Sequence, residues 1–197
     1  MKKIKLALLL LVTSCLALGS TAVVSALTAT TTISSNISSV ISLLTTNGTV
    51  NVNVVPTGAG AQTIASDTVT VSTNDSSGYT LQLAETGGSS NLVSGSNTIP
   101  ASSGTQSSPA TMAVNTWGYR MDSVGGFGSG PTSAVSSVAI GSLKFATVPA
   151  SGSPDTLKTT SGTATSDTTT VWYGVAANTS QPSGTYTNSV TYTATAN

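Results

Sequence analysis

The chain contains no histidine, and its one cysteine, Cys15, lies near the start. Without histidine, Ser-His-Asp and Cys-His nucleophilic sites are excluded. With cysteine confined to position 15, so are the usual zinc, haem and iron–sulfur ligand sets and any disulfide farther along the chain. Charge is also scarce, at 6% of residues. Beyond residue 26 the cations are Arg120, Lys144 and Lys158, set against Asp67, Asp75, Glu85, Asp122, Asp155 and Asp167. This small acidic excess gives no electrostatic footprint for nucleic acid. Paired carboxylates are the one common catalytic chemistry left open, and these acids are scattered, mostly in turn-like sequence. The chain therefore reads as a non-enzyme that carries no cofactor and no metal.

Serine, threonine, asparagine and glycine take the place of charge as the solubilising residues, with serine and threonine far above ordinary usage. The apolar residues include many valines and isoleucines, which suit a pleated surface and resist helix. Residues 1–26 read as an export signal. Lys2, Lys3 and Lys5 precede the apolar run Leu6–Val12, and Val24-Ser25-Ala26 fits a small-x-small cleavage site that would leave Leu27 first. A second reading takes Val12-Thr13-Ser14-Cys15 as a lipobox with a lipid on Cys15. The unbroken apolar run is too short to span a bilayer. The expectation is a secreted, extracellular protein that leaves the membrane after cleavage, with residues 27–197 as a single domain.

The clearest structural signal is Thr68–Ala84. Val69 and Val71 alternate with polar residues, as do Tyr79, Leu81 and Leu83, and Asn74-Asp75-Ser76-Ser77-Gly78 between them is turn sequence. This reads as a β-hairpin with one dry face. Leu27–Leu44 is ambiguous: Ile33, Ile37, Val40, Ile41 and Leu44 have helical spacing, but the serines and threonines between them favour one or two strands. Val50, Val52 and Val54 alternate after the Asn47-Gly48 turn. Short strands are expected at Leu92-Val93 and Thr98-Ile99, then at Thr111–Met121, Val138–Ile140, Leu143–Val148, Thr168–Ala176 and Gly184–Ala196. Residues 85–110, 122–137 and 150–166 read as long Gly/Ser/Thr-rich loops. The sum is an all-β fold, an antiparallel β-sandwich of Ig-like or jelly-roll-like type with about eight to ten short strands.

Three segments carry a resemblance: Thr68–Ala84 with its TND..GYTLQL, NTWGYRM at Asn115–Met121, and the ending PSGTYTNSVTYTATA from Pro182. Their order resembles small secreted β-sandwich surface proteins of Saccharibacteria and other bacteria with a Gram-positive-type wall. More distantly, the chain is similar to WxL-type wall-associated domains. Gly78-Tyr79-Thr80-Leu81 resembles their aromatic strand and Thr191-Tyr192-Thr193-Ala194 their terminal motif. It departs from that pattern, because Trp117 and Trp172 are not in Trp-x-Leu and Tyr192 stands where the terminal Trp would be. The resemblance implies a β-sandwich at the cell wall with peptidoglycan as the family's ligand, and no binding residue carries over.

Trp117, Tyr119, Trp172 and Tyr173 are the candidate platform for stacking sugar rings, weighed against a place in the core. Trp172 and Tyr173 are adjacent in a strand and so point to opposite faces, which makes them the stronger pair for a ligand. Tyr186 can fold its hydroxyl back onto the backbone, as in a tyrosine corner. Lys144 and Asn188, with Glu85 or Asp67 beside them, are a candidate internal isopeptide set, weighed against an exposed lysine. Asp75, Asp122 and Asp155 read as turn residues rather than Ca²⁺ ligands. The last strand is expected to pair with Thr168–Ala176. The function expected is a structural or adhesive surface protein, a coat or fibre subunit, whose partners are cell-wall glycan or other surface proteins. The alternative is a carbohydrate- or peptidoglycan-binding wall module.

Overall fold

A computed structural model describes residues 26–197. The expected signal peptide and Cys15 lie outside the described residues. Ser38–Asn197 forms one compact unit, and residues 26–37 belong to another and contain no strand. Every regular element among the described residues is a strand.

The main sheet has the order β1 (Ile41–Thr45), β2 (Ala61–Thr73), β11 (Ala164–Ala177), β7 (Thr116–Arg120), with β8 (Val135–Val138) also paired to β2. The second sheet has the order β10 (Asp155–Thr159), β3 (Tyr79–Glu85), β12 (Val190–Ala196). Two small pairs complete the set: the hairpin of β4 (Leu92–Ser94) with β5 (Asn97–Ile99), and the long-range pair of β6 (Ala110–Thr111) with β9 (Lys144–Phe145). All these ladders are antiparallel. The two larger sheets pack face to face as a β-sandwich.

The dry faces expected of Val69, Val71, Tyr79, Leu81 and Leu83 are correct, and all five are fully buried. The hairpin is not. β2 pairs with β1 and β11, while β3 pairs with β10 and β12. Asn74–Gly78 is thus an arch that carries the chain from one sheet to the other, so the two apolar sets face each other across the core instead of lying side by side. Alternation fixes which residues are dry, and it is the same for a hairpin and an arch. Gly78 closes the arch at φ 88°, and a Cβ there would lie 2.3 Å from the Thr160 carbonyl oxygen, so glycine is required.

Five other expectations change. The strand expected at Val138–Ile140 lies earlier, as β8, largely within the expected loop at 122–137, because its pairing with β2 at Gln62 and Ile64 sets its position. Of Leu27–Leu44, only the last four residues, from Ile41, enter a strand, β1. Val50, Val52 and Val54 are half-buried against the core but form no ladder. β10 lies within the expected loop at 150–166: Leu157 is its one buried apolar residue, and a bulge interrupts its pairing with β3 there, so it has no alternation to read. The last strand, β12, runs along β3 from Val190↔Glu85 to Ala196↔Tyr79, not along β11.

The main sheet is covered on both faces. Val69, Val71, Val171, Tyr173 and Val175 face the second sheet, together with Trp117 and Tyr119. On the other face Ile64, Trp172 and Ala176 meet Met112 and Phe145, with Val135, Ile140 and Leu143 beside them. Met112 after β6 and the stretch 135–145 therefore bury a second, smaller core. Gly174 makes room for it, since a Cβ there would fall 2.6 Å from the Phe145 ring.

Candidate functional site

The four candidate platform residues are all buried: Trp117 is 4% exposed, Tyr119 0%, Trp172 8% and Tyr173 6%. This corrects the expectation of a stacking surface. Trp172 and Tyr173 do point to opposite faces of β11, but both faces are covered, Tyr173 by the second sheet and Trp172 by the Phe145 core. The sequence shows the alternation of the pair but not the distant loop that roofs the outer ring.

The polar ends of these aromatics make a consistent pattern. Tyr79 rises from β3 and donates its hydroxyl to Asp167 Oδ2 on β11, at 2.8 Å. Tyr119 crosses the other way, from β7 to Asp155 Oδ2 on β10, at 2.5 Å. Tyr173 on β11 shares a 2.7 Å hydrogen bond with Tyr192 on β12. Each of the three contacts ties one sheet to the other. The Trp117 indole N–H donates to the Ser90 carbonyl at 2.7 Å. Tyr186 donates to the Pro182 carbonyl at 2.7 Å, which is the corner expected from the sequence, and the Gln181 amide donates to the same hydroxyl at 2.9 Å.

These environments shift the titrations. Burial first, and then the neighbouring carboxylate, pushes Tyr79 and Tyr119 far above the ordinary tyrosine value. Burial likewise raises Tyr173 and Tyr192. Partial burial works to raise Asp167, but the Lys158 ammonium at 2.6 Å and the Tyr79 hydroxyl outweigh it and hold the carboxyl below its usual value.

Arg120 was not singled out by sequence reasoning. It is fully buried on the outer face of β7, opposite Trp172. Its Nη1 donates to the Lys144 carbonyl, and its Nη2 reaches the carbonyls of Phe127, Gly128 and Ser129 at 3.0–3.3 Å. The Phe127 and Phe145 rings lie 5.9 Å from the guanidinium carbon. Arg120 thus holds the Gly-rich loop onto the sheet through the five-donor fork that only arginine has. Burial lowers its pKa, opposed by Asp122. No sequence signal marks it, because its partners are main-chain carbonyls.

The remaining candidates are dispersed. Lys144 is exposed on β9, and the Asn188 amide donates to the Ser89 carbonyl, so the isopeptide set is not assembled. Asp75 accepts from the Ser77 backbone N–H and the Ser39 hydroxyl, which hold it below the usual carboxylate value. Asp122 caps the Gly130 N–H at 2.9 Å. Among the described residues, no three His, Cys, Asp or Glu side chains converge on one point. The surface carries a shallow depression of about 480 Å³ lined by Thr160 and the Gly162–Thr168 stretch, mostly hydroxyls beside Asp167.

No family model, curated protein or solved structure matches the chain.

Proposed function

We propose that the protein is a non-enzymatic structural component of the cell surface. The observation that carries this reading is the use made of its polar aromatic groups. Tyr79, Tyr119, Tyr173 and Tyr192 join sheet to sheet, Trp117 and Tyr186 fasten loops, and the larger charged groups Arg120, Lys158 and Asp167 have partners within the fold. A chain that commits its stacking side chains to internal links suits a passive, durable role. The Ser/Thr-rich exterior, low in charge, suits an extracellular surface, where hydration comes from hydroxyls.

The test is fractionation of producing cells into medium, wall, membrane and cytosol, followed by sedimentation of the purified protein with isolated wall glycan. Recovery in medium or wall, without saturable glycan binding, supports the structural role. Recovery in the cytosol overturns it. Saturable glycan binding that is lost when Thr165 and Asp167 are replaced would favour the wall-binding reading, with the hydroxyl-lined depression as its site.

A further inference from the structure

Within residues 27–43 the apolar residues fall at odd positions, Val40 excepted. The odd positions read Leu27, Ala29, Thr31, Ile33, Ser35, Ile37, Ser39, Ile41, Leu43, and the even ones are Thr, Ser or Asn apart from Val40. In an extended chain all the odd side chains share one face. Ile41 and Leu43 place that face half-buried against the core through β1. Upstream, residues 26–39 form no strand, and Leu27, Ile33 and Ile37 are 99%, 91% and 84% exposed. Residues 27–37, without glycine, proline or charge, thus enter no ladder among the described residues, and Ser38 and Ser39 touch only the Asn74-Asp75 side chains. An unladdered extended segment of this kind is what adds to a neighbour's edge.

The sequence itself indicates which neighbour. Reversed about Ser35, the odd face matches itself: Ile33 falls opposite Ile37, Thr31 opposite Ser39, Ala29 opposite Ile41 and Leu27 opposite Leu43. Moving the centre to Asn36 would instead set Ile33 against Ser39 and Ile37 against Ser35, and a one-residue register slip would turn the dry face outward. The backbone agrees with this register. Val40 and Thr46 direct their peptide groups to β2 and its Asn74 extension, through Asn74 N–H to Val40 O and Thr46 N–H to Thr68 O. Peptide groups alternate along a strand, so the odd residues Ile41 and Leu43 direct theirs to the opposite edge of β1, where no ladder is present among the described residues. Odd-to-odd pairing is the pairing that edge can accept.

We infer that residues 27–43 form a self-complementary strand that joins two copies of this chain antiparallel about a two-fold axis through Ser35. The interface is isologous, each copy giving residues 27–39 and receiving the partner's along the same face and, at Ile41 and Leu43, along the free edge of β1. The pairing concerns assembly alone and is read on purified protein, so it stands or fails separately from the surface role, which fractionation decides.

On the axis, Ser35 meets its own copy at about 5.5 Å between Cα atoms, within disulfide reach, whereas Ser39 meets Thr31. The test uses the full chain with Cys15→Ser and one added cysteine, under mild oxidation at micromolar concentration. Ser35→Cys is expected to give at least tenfold more disulfide-linked dimer than Ser39→Cys. Mixing Thr31→Cys and Ser39→Cys chains should give the crossed dimer. Adding Ile33→Asp and Ile37→Asp should abolish the Ser35→Cys dimer while leaving the denaturant midpoint of the monomer unchanged. A Ser35→Cys chain that stays monomeric, a Ser39→Cys chain that links to itself equally well, or a dimer indifferent to the two aspartates each overturns the register.

Discussion

The hydroxyl of Tyr79 lies 2.8 Å from Oδ2 of Asp167, and the Lys158 ammonium lies 2.6 Å from the other oxygen of the same carboxylate. Asp167 is therefore held from both sides, by the central strand β3 and the edge strand β10 of the second sheet, while it belongs to the first. The contact sets the first prediction. Tyr79→Phe removes one hydrogen bond to a partly exposed carboxylate and should cost about 1 kcal/mol, whereas Tyr79→Ala also opens a core cavity and should cost about 3–5 kcal/mol. Denaturant midpoints of the two variants measure the gap. Because the folded state depresses Asp167, its contribution is present above the ordinary carboxylate value and is lost as pH falls through the folded value. The acid limb of the stability curve should flatten in Tyr79→Phe and more so in Lys158→Met.

Alkaline pH should unfold the protein in one step. Tyr79, Tyr119, Tyr173 and Tyr192 are all raised above 10.0, so the folded state keeps them protonated while the unfolded chain ionises. Their contribution is full below pH 10 and decreases above it, by about 1.4 kcal/mol per pH unit for each group. Tyrosinate absorbance and loss of the β-sheet circular dichroism signal should therefore rise together. A large absorbance change at constant circular dichroism would contradict the buried hydroxyls.

Arg120→Lys should be far from conservative. An ammonium cannot reach the Lys144 carbonyl and the Phe127–Ser129 carbonyls at once, and the unpaired carbonyls would stay buried. The expected cost is about 2–4 kcal/mol. Limited proteolysis should detect new cleavage within residues 122–131 before global unfolding.

Removing residues 190–197 should abolish folding of the monomer. β12 pairs with β3 over its full length and brings Tyr192 to Tyr173, so its loss would leave a central strand bare and one of the three sheet-to-sheet contacts broken. Circular dichroism of the truncated chain should resemble that of an unfolded one. A folded, monomeric product would mean that the strand is dispensable to its own sheet.

Much of the core was readable because alternation is a local property. Val69, Val71, Tyr79, Leu81 and Leu83 occupy the dry face that their spacing assigns. Strand partnership was not readable, because the turn at Asn74–Gly78 suits an arch as well as a hairpin, and the choice depends on β10, β11 and β12 far along the chain. The platform reading failed for a similar reason. The ring of Trp172 would be open on a bare sheet, and what covers it is Phe145 of β9 and Met112 just after β6, a pair of two-residue strands whose place over the sheet no local pattern gives. Tyr186 was readable because its partner, Pro182, is four residues away.

The arch has a consequence for how the chain acquires its fold. β2 waits for β11, from Thr73↔Ala164 to Ala61↔Ala177, and β3 waits for β12 at the very end. Neither sheet can be completed by local pairing, so the early strands gain little until the last fifth of the chain is available. Folding should be slow for a protein of this size and should lack a stable N-terminal intermediate. A chain emerging N-terminus first would therefore stay unfolded until β11 and β12 had both emerged.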